Sequence, residues 1–191
     1  SNYAAYDGGA IMCSDSSPTI TKNRIKANSA ELGGGGISLF HYCFPVIVNN
    51  FIFQNDAAYG GGVECFWSDP VMSFNTILDN TATQSGGGLY FDYNSICTLT
   101  NNILWGCTAP QGSAMSVLGF SDTDVSYCNV QGGQAACHVD ATSTQNWAQG
   151  MLDAQPYFQD PANEDYHISI TSPCMDGGTD DVTVTEDFEG D

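Results

Sequence analysis

The chain has 191 residues, 42% of them hydrophobic, enough for one domain with a real core. It carries 22 acidic residues against three basic ones, a net charge of −19. Nucleic acid and anionic membranes attract clustered Lys and Arg, so neither is expected as a partner, and no apolar run is long enough for membrane insertion.

In chain order, "NYAAYDGGAI" opens at residues 2–11, "NSAELGGGGI" follows at 28–37, "NDAAYGGGV" at 55–63 and "NTATQSGGGL" at 80–89. The markers Asn2, Asn28, Asn55 and Asn80 stand 26, 27 and 25 residues apart, and Gly106 continues the series 26 further on. Three residues before each later marker stands Ile25, Ile52, Ile77 or Ile103, and two before that Asn23, Asn50, Asn75 or Asn101. Pro18, Pro45 and Pro70 recur in register, and a fifth copy fades at Val130 and Gly133. A fixed period over five copies implies a stacked-repeat architecture.

The runs within each unit, such as "GISLFHY", "PVIVNN" and "GVECFWS", are short, alternate with period two and end at Gly, Pro, Asn or Ser. They read as strands. Three strands and three turns fill a unit, and stacking at ~4.8 Å builds parallel sheets. The expected fold is all-β: a single-stranded, right-handed parallel β-helix of ~26-residue coils with an irregular C-terminal closing segment. Residues 1–133 form the coils, 134–150 an insertion, and 151–191 a closing coil and acidic tail.

The pattern predicts ladders. Ile11, Ile37, Val63, Leu89 and Met115 point inward on successive coils, as do Cys13, Leu39, Cys65, Phe91 and Val117. Ile25, Ile52, Ile77, Ile103 and Val130 line a second wall, and Ala4, Ala30, Ala57 and Ala82 a tight corner. Asn28, Asn55 and Asn80 stack their amides at a bend, and the glycines supply positive φ at a corner.

The I-x-x-N and G-G-[AGV]-[IVL] words resemble the repeats of pectin-lyase-like β-helix proteins, especially the polymorphic outer-membrane-protein type. The tail "MLDAQPYFQDPANEDYHISITSPCMDGGT" at 151–179 is similar to the closing segment of secreted bacterial β-helix proteins, with Gln155 where that family usually has Asp. The resemblance implies the β-helix fold and a secreted or surface location. It also implies a chain that is a processed or partial piece, since it opens within a repeat and the family's tail runs on beyond "DFEGD". The architecture hosts lyases, hydrolases, adhesins and passive stalks alike.

Lys22, Arg24 and Lys26 are the only bases, spaced by two around inward Ile25, so they share an outward face or its bend. They suit either a substrate-carboxylate clamp or a solvated spot that neutralises nearby acids. Asp180 and Asp181 are adjacent and so face opposite ways on a strand. Asp122 and Asp124 alternate but stand without a second motif, as acidic turn residues do. His41, His138 and His167 lack metal spacing, so no metal site is expected, although so acidic a chain suits Ca²⁺.

Eight cysteines point to an oxidising, extracellular compartment. Cys107, Cys128, Cys137 and Cys174 gather where the repeat fades, as disulfide candidates that pin the end of the solenoid. On one outward sheet face the register places Phe40, Tyr42, Glu64, Phe66, Tyr90 and Asp92, with Trp67 at its edge. Exposed aromatics on a sheet are a protein interface or a sugar-stacking platform, unless a loop or the 134–150 insertion covers them. The expected function is an extracellular structural or adhesive protein that self-associates through its coil ends or sides. The alternative is a carbohydrate-active enzyme or a sugar-binding module.

Overall fold

The computed structural model describes residues 1–180; Asp181 and the rest of the acidic tail lie outside the described residues. Each full coil carries four short strands, one more than the repeat words suggested. Sheet A holds Tyr3–Ala4, Ser29–Ala30, Asp56–Tyr59 and Thr81–Ser85. Sheet B holds Ile11–Ser14, Ile37–Phe40, Val63–Phe66, Leu89–Asp92, Met115–Val117 and Cys137–Val139. Sheet C runs from Thr19–Thr21 through Val46–Val48, Val71–Ser73, Ile96–Thr100 and Asp122–Ser126 to Thr144–Trp147. Sheet D holds Arg24–Lys26, Phe51–Phe53, Thr76–Leu78, Ile103–Trp105 and Asn129–Val130. Every pairing in these four sheets is parallel and joins one coil to the next, a right-handed β-solenoid of about six coils.

The core columns follow the repeat. Ile37, Val63, Leu89 and Met115 are fully buried and in register, as are Leu39, Cys65, Phe91 and Val117. Sheet C adds Ile20, Ile47, Met72, Leu99 and Val125. Sheet D supplies Ile25, Ile52, Ile77, Leu104 and Val130. Leu104, not Ile103, is thus the fourth rung. The coil from Asn75 to Asn102 is 27 residues long, and Asn101 takes the left-handed corner (φ 58), which turns Ile103 outward.

Three corners share one rule over coils two to five: a residue at positive φ precedes an inward polar rung. Between sheets D and A, Gln54 (φ 56) precedes Asn55, whose Nδ2 donates to the Ile25 carbonyl (2.9 Å) and to Asn80 Oδ1 (3.0 Å). Asn55 Oδ1 in turn accepts from Asn28 N (2.9 Å). The rungs there are Asn2, Asn28, Asn55, Asn80 and Cys107, which replaces the expected Gly106. Between C and D they are Asn23, Asn50, Asn75, Asn102 and Cys128. Between B and C they are Cys43, Ser68, Ser95, Ser121 and Ser143. The left-handed residue is thus the one before the ladder amide, so positive φ is not confined to the glycines.

The glycine phrase makes the fourth corner, and its members differ in role. Gly60 sits at φ +58, where an L side chain is strained. Gly61 is excluded by space instead: a Cβ there would lie 2.3 Å from the Thr81 carbonyl oxygen of the next coil.

Residues 134–150 are no insertion. They carry Cys137–Val139 and Thr144–Trp147, which extend sheets B and C as the sixth coil. The disulfide expectation also fails, since all eight cysteines are free. Cys13, Cys65 and Cys97 pack in the core, while Cys43, Cys107 and Cys128 are corner rungs with backbone partners of their own. Cys137 Sγ bonds the Gly133 carbonyl, and Cys174 Sγ accepts from Asn129 Nδ2 (3.0 Å). Burial pushes the thiols up, Cys107 to about 12 and Cys128 and Cys137 to about 11, so they behave as small core hydrophobes. The cysteine count therefore gives no support to secretion.

Beyond Leu152, which bridges to Asn129, the chain turns back along the outside of sheet D. Phe158–Asp160 and Asp165–Ile168 form an antiparallel hairpin there. Its Tyr166 packs against Phe51, Phe53 and Phe158 at ring-centroid distances of 6.0, 5.4 and 5.4 Å. With Leu78, Ile103 and Trp105 they form a second, smaller core outside the solenoid.

Candidate functional site

The corner between sheets B and C separates two of the expected contact residues from the rest. Phe40 and Phe66 are cross-coil partners at the end of sheet B, followed in the same column by Asp92. Behind them the left-handed positions are His41 and Tyr42, then Trp67, then Tyr93 and Asn94, then Phe120. Bulky rings at positive φ cost about 1 kcal/mol each, where Gly or Asn would fit freely. Coils two to five all place an aromatic there, whereas the left-handed positions are Ala27, Gln54, Asp79 and Gly106 at the D–A corner and Lys22, Asn49, Phe74, Asn101 and Tyr127 at the C–D corner, where only two of five are aromatic.

The rings hold one another. Phe40 stacks on Phe66 (5.3 Å, 14°) and Phe66 on Tyr93 (4.6 Å, 26°). Trp67 meets His41 edge-on at 5.0 Å and Tyr42 at 5.1 Å. Coils ~4.8 Å apart leave no width for rings lying flat, so they stand on edge and fill each other's faces. A sugar platform needs free ring faces; this strip shows mainly edges. It stays open nonetheless, with Phe40 37%, Tyr42 47%, Trp67 38%, Tyr93 54% and Phe120 66% exposed. Phe44, Val46, Val71 and Ile96 continue it onto sheet C.

Glu64 and Tyr90, expected on the exposed face, are buried. The turns leading from sheet A fold over their column, which runs Ser38, Glu64, Tyr90, Ser116. Gly33 leaves the room: a Cβ on it would sit 2.0 Å from the Glu64 carboxyl. Ser38 Oγ donates to Glu64 Oε2 (2.9 Å), and Tyr90 OH to Asp92 Oδ2 (2.9 Å). Burial, with the nearby Asp7 and Asp92 charges, raises the Glu64 carboxyl to about 7 despite the Ser38 bond. Tyr59 closes the row against Tyr90 at 5.1 Å.

The three bases lie apart from both features. Arg24 and Lys26 pair with Glu164 of the closing hairpin and lie over Phe51 and Phe53. Lys22 occupies the left-handed C–D corner. They do not converge with the acids of sheets B and C. Asp122 and Asp124 are strand residues of sheet C rather than turn residues, and bond Thr144 and Asn146 of the next coil. His41 Nδ1 lies 3.4 Å from Asp15, and His167 pairs with Asp165. Among the described residues no group of three or more His, Cys, Asp or Glu is arranged to hold a metal ion. No helix among them is long and apolar enough to cross a membrane.

The repeat register places Phe40, Tyr42, Phe66 and Trp67 on this face and sets Phe120 in the column of Tyr42, but it does not bring Tyr93 and Phe120 into the contact face. The corner holds two left-handed residues at His41–Tyr42, Tyr93–Asn94 and Gly119–Phe120 but only one at Trp67, so fixed counting slips. A family model described as a right-handed β-helix region matches residues 5–151. No curated protein and no solved structure matches the chain.

Proposed function

The chain belongs to the right-handed β-helix family, and from that premise we propose that it is an extracellular adhesive module with the aromatic corner between sheets B and C as its contact face. The observation that carries this is the left-handed column itself. Strained backbone is spent on His41, Tyr42, Trp67, Tyr93 and Phe120 in successive coils, on a face left open to solvent. Assembly with further copies belongs to the same reading. Sheets B and C end in the edge strands Cys137–Val139 and Thr144–Trp147, beyond which no further strand pairs among the described residues. Beads coated with the protein test the reading on films of polysaccharide, mucin and basic protein. Trp67→Asn with Tyr93→Asn keeps residues that tolerate positive φ. Attachment is expected to fall at least ~10-fold with the strand spectrum unchanged; equal attachment to every film would refute it.

Glu64 favours a second reading, a carbohydrate-active enzyme. A buried carboxyl raised to about 7 between Asp7 and Asp92 has the protonation behaviour of a general acid. Release of reducing ends from a polysaccharide panel, lost in Glu64→Gln, is its signature.

A further inference from the structure

The aromatic corner lies on a chain almost devoid of positive charge. All three bases fall between residues 22 and 26; none follows over the remaining 165 positions, 27–191. Arg24 and Lys26 are engaged on sheet D by Glu164, away from this corner.

Acids, by contrast, run through and around the strip. Asp92 ends the Phe40–Phe66 column. Asp15 lies beside His41 at its N-terminal end. On sheet C, Asp69 sits beside Ile96, which pairs with Asp122, while Thr98 pairs with Asp124. Their bonds here are to neutral donors, His41 apart. Asp69 Oδ1 accepts from Ile96 N (2.8 Å), Asp92 from Tyr90 OH and Tyr93 N (2.9 and 2.8 Å), and Asp124 from Asn146 (3.0 Å). Each ionised carboxylate keeps lone pairs to spare.

We infer that this corner docks an arginine-bearing segment of another polypeptide, whose guanidinium groups bridge the strip's aspartates while their aliphatic stems lie against its rings. The inference rests on the adhesive reading of the corner and names the partner for it. Charge complementarity selects the occupant. A second copy would bring its own aspartates to the same face and be repelled. A neutral glycan would find ring edges where it needs ring faces. A guanidinium is planar, weakly hydrated and bidentate toward carboxylate, so it can bridge aspartates while its apolar stem lies along the ring edges; an ammonium matches the charge but not the plane.

Fluorescence anisotropy with three synthetic peptides tests this on the full chain: alternating arginine and leucine, lysine and leucine, and glutamate and leucine. The arginine peptide is expected to bind, the lysine peptide about 5-fold more weakly, and the glutamate peptide not at all. Trp67→Asn with Tyr93→Asn, and separately Asp69→Asn with Asp122→Asn, should each weaken the arginine peptide about 10-fold. Asp56→Asn removes an exposed acid of sheet A that Ser29 Oγ bonds at 2.7 Å, and should leave binding within twofold. Two results would overturn the inference. One is equal loss in the Asp56 variant, which marks undirected attraction to a polyanion. The other is equal binding of the arginine and lysine peptides with no effect of the ring variants. If the ring variants abolish attachment to films while no arginine peptide binds, the inference falls and the adhesive reading stands. If the ring variants change neither, both fall.

Discussion

The molecule has two aromatic outer faces and treats them oppositely. On sheet D, Phe51, Phe53 and Trp105 are covered by the chain's own hairpin, with Tyr166 as the central ring and Glu164 tied to Arg24 and Lys26. At the B–C corner, Phe40, Phe66 and Tyr93 stack in a row and Trp67 meets its neighbours edge-on, yet Phe40, Trp67 and Tyr93 stay exposed. Burial makes the first a small core, in which each large ring contributes a few kcal/mol. The second offers little to stability, because its edges stay wet, and it holds five aromatics in a backbone region that penalises them. An apolar face kept open at such a cost fits contact better than folding.

The largest expected effect uncovers sheet D. Tyr166→Ala empties the centre of the satellite core and should destabilise hairpin docking by about 3 kcal/mol, read as new proteolytic cuts near 158–168 and faster amide exchange there. Trp67→Asn should stay within about 1 kcal/mol, because lost ring contacts are offset by relief at φ 54. Equal losses in the two variants would erase the distinction between a covered core and an open strip.

Glu64 ranks close behind and has the less intuitive sign. Its folded carboxyl titrates at about 7 against an ordinary 4.5, so the native state holds the proton more tightly than the unfolded chain. Its contribution is complete below pH 4.5, is lost as pH rises through 7, and amounts to about 3 kcal/mol. Asp7, Asp92, Tyr59 and Tyr90 are the titratable neighbours. Glu64→Gln keeps the Ser38 partner without the charge, so denaturant melts at pH 8 should show a more stable variant that matches wild type at pH 4. A variant less stable at pH 8 would mean that the ionised carboxylate is held by something favourable.

Most of the solenoid was legible because stacked coils repeat one environment. Register at Val63 repeats at Leu89 and Ile37, so periodicity alone identified the inward rows. The misplacements occurred where coils differ by one residue. Ile103 faces outward because Asn101 absorbs an extra corner position, and Cys107 and Cys128 serve as rungs because a thiol can take the amide's place in the ladder through longer bonds, 3.7 Å from Cys107 Sγ to the Ile77 carbonyl and 3.4 Å from Asn102 N to Cys128 Sγ. The burial of Glu64 is not legible in the pattern, because alternation separates inside from outside, while the turns that fold over sheet B depend on tertiary placement. The Tyr166 contact joins residues more than a hundred positions apart and leaves no periodic trace.

The smallest effect concerns the charges that hold the covered face. The Glu164 carboxyl lies below the ordinary carboxylate range, chiefly through its Lys26 bond and then Arg24. A depressed carboxyl stabilises above its unfolded value and loses that contribution as pH falls from 4.5 through the lowered folded value, opposite in sign to Glu64. The pairs are about two-fifths exposed, so salt screens them and the ring contacts should carry most of the docking. Glu164→Gln is therefore expected to raise amide exchange in 158–168 only a few-fold at low salt, and hardly at all at 1 M. Exchange rising as far as in Tyr166→Ala would make the covered face an electrostatic latch. Arg24 and Lys26 would then hold the hairpin, and the contrast with the open corner would be one of charge as much as of burial.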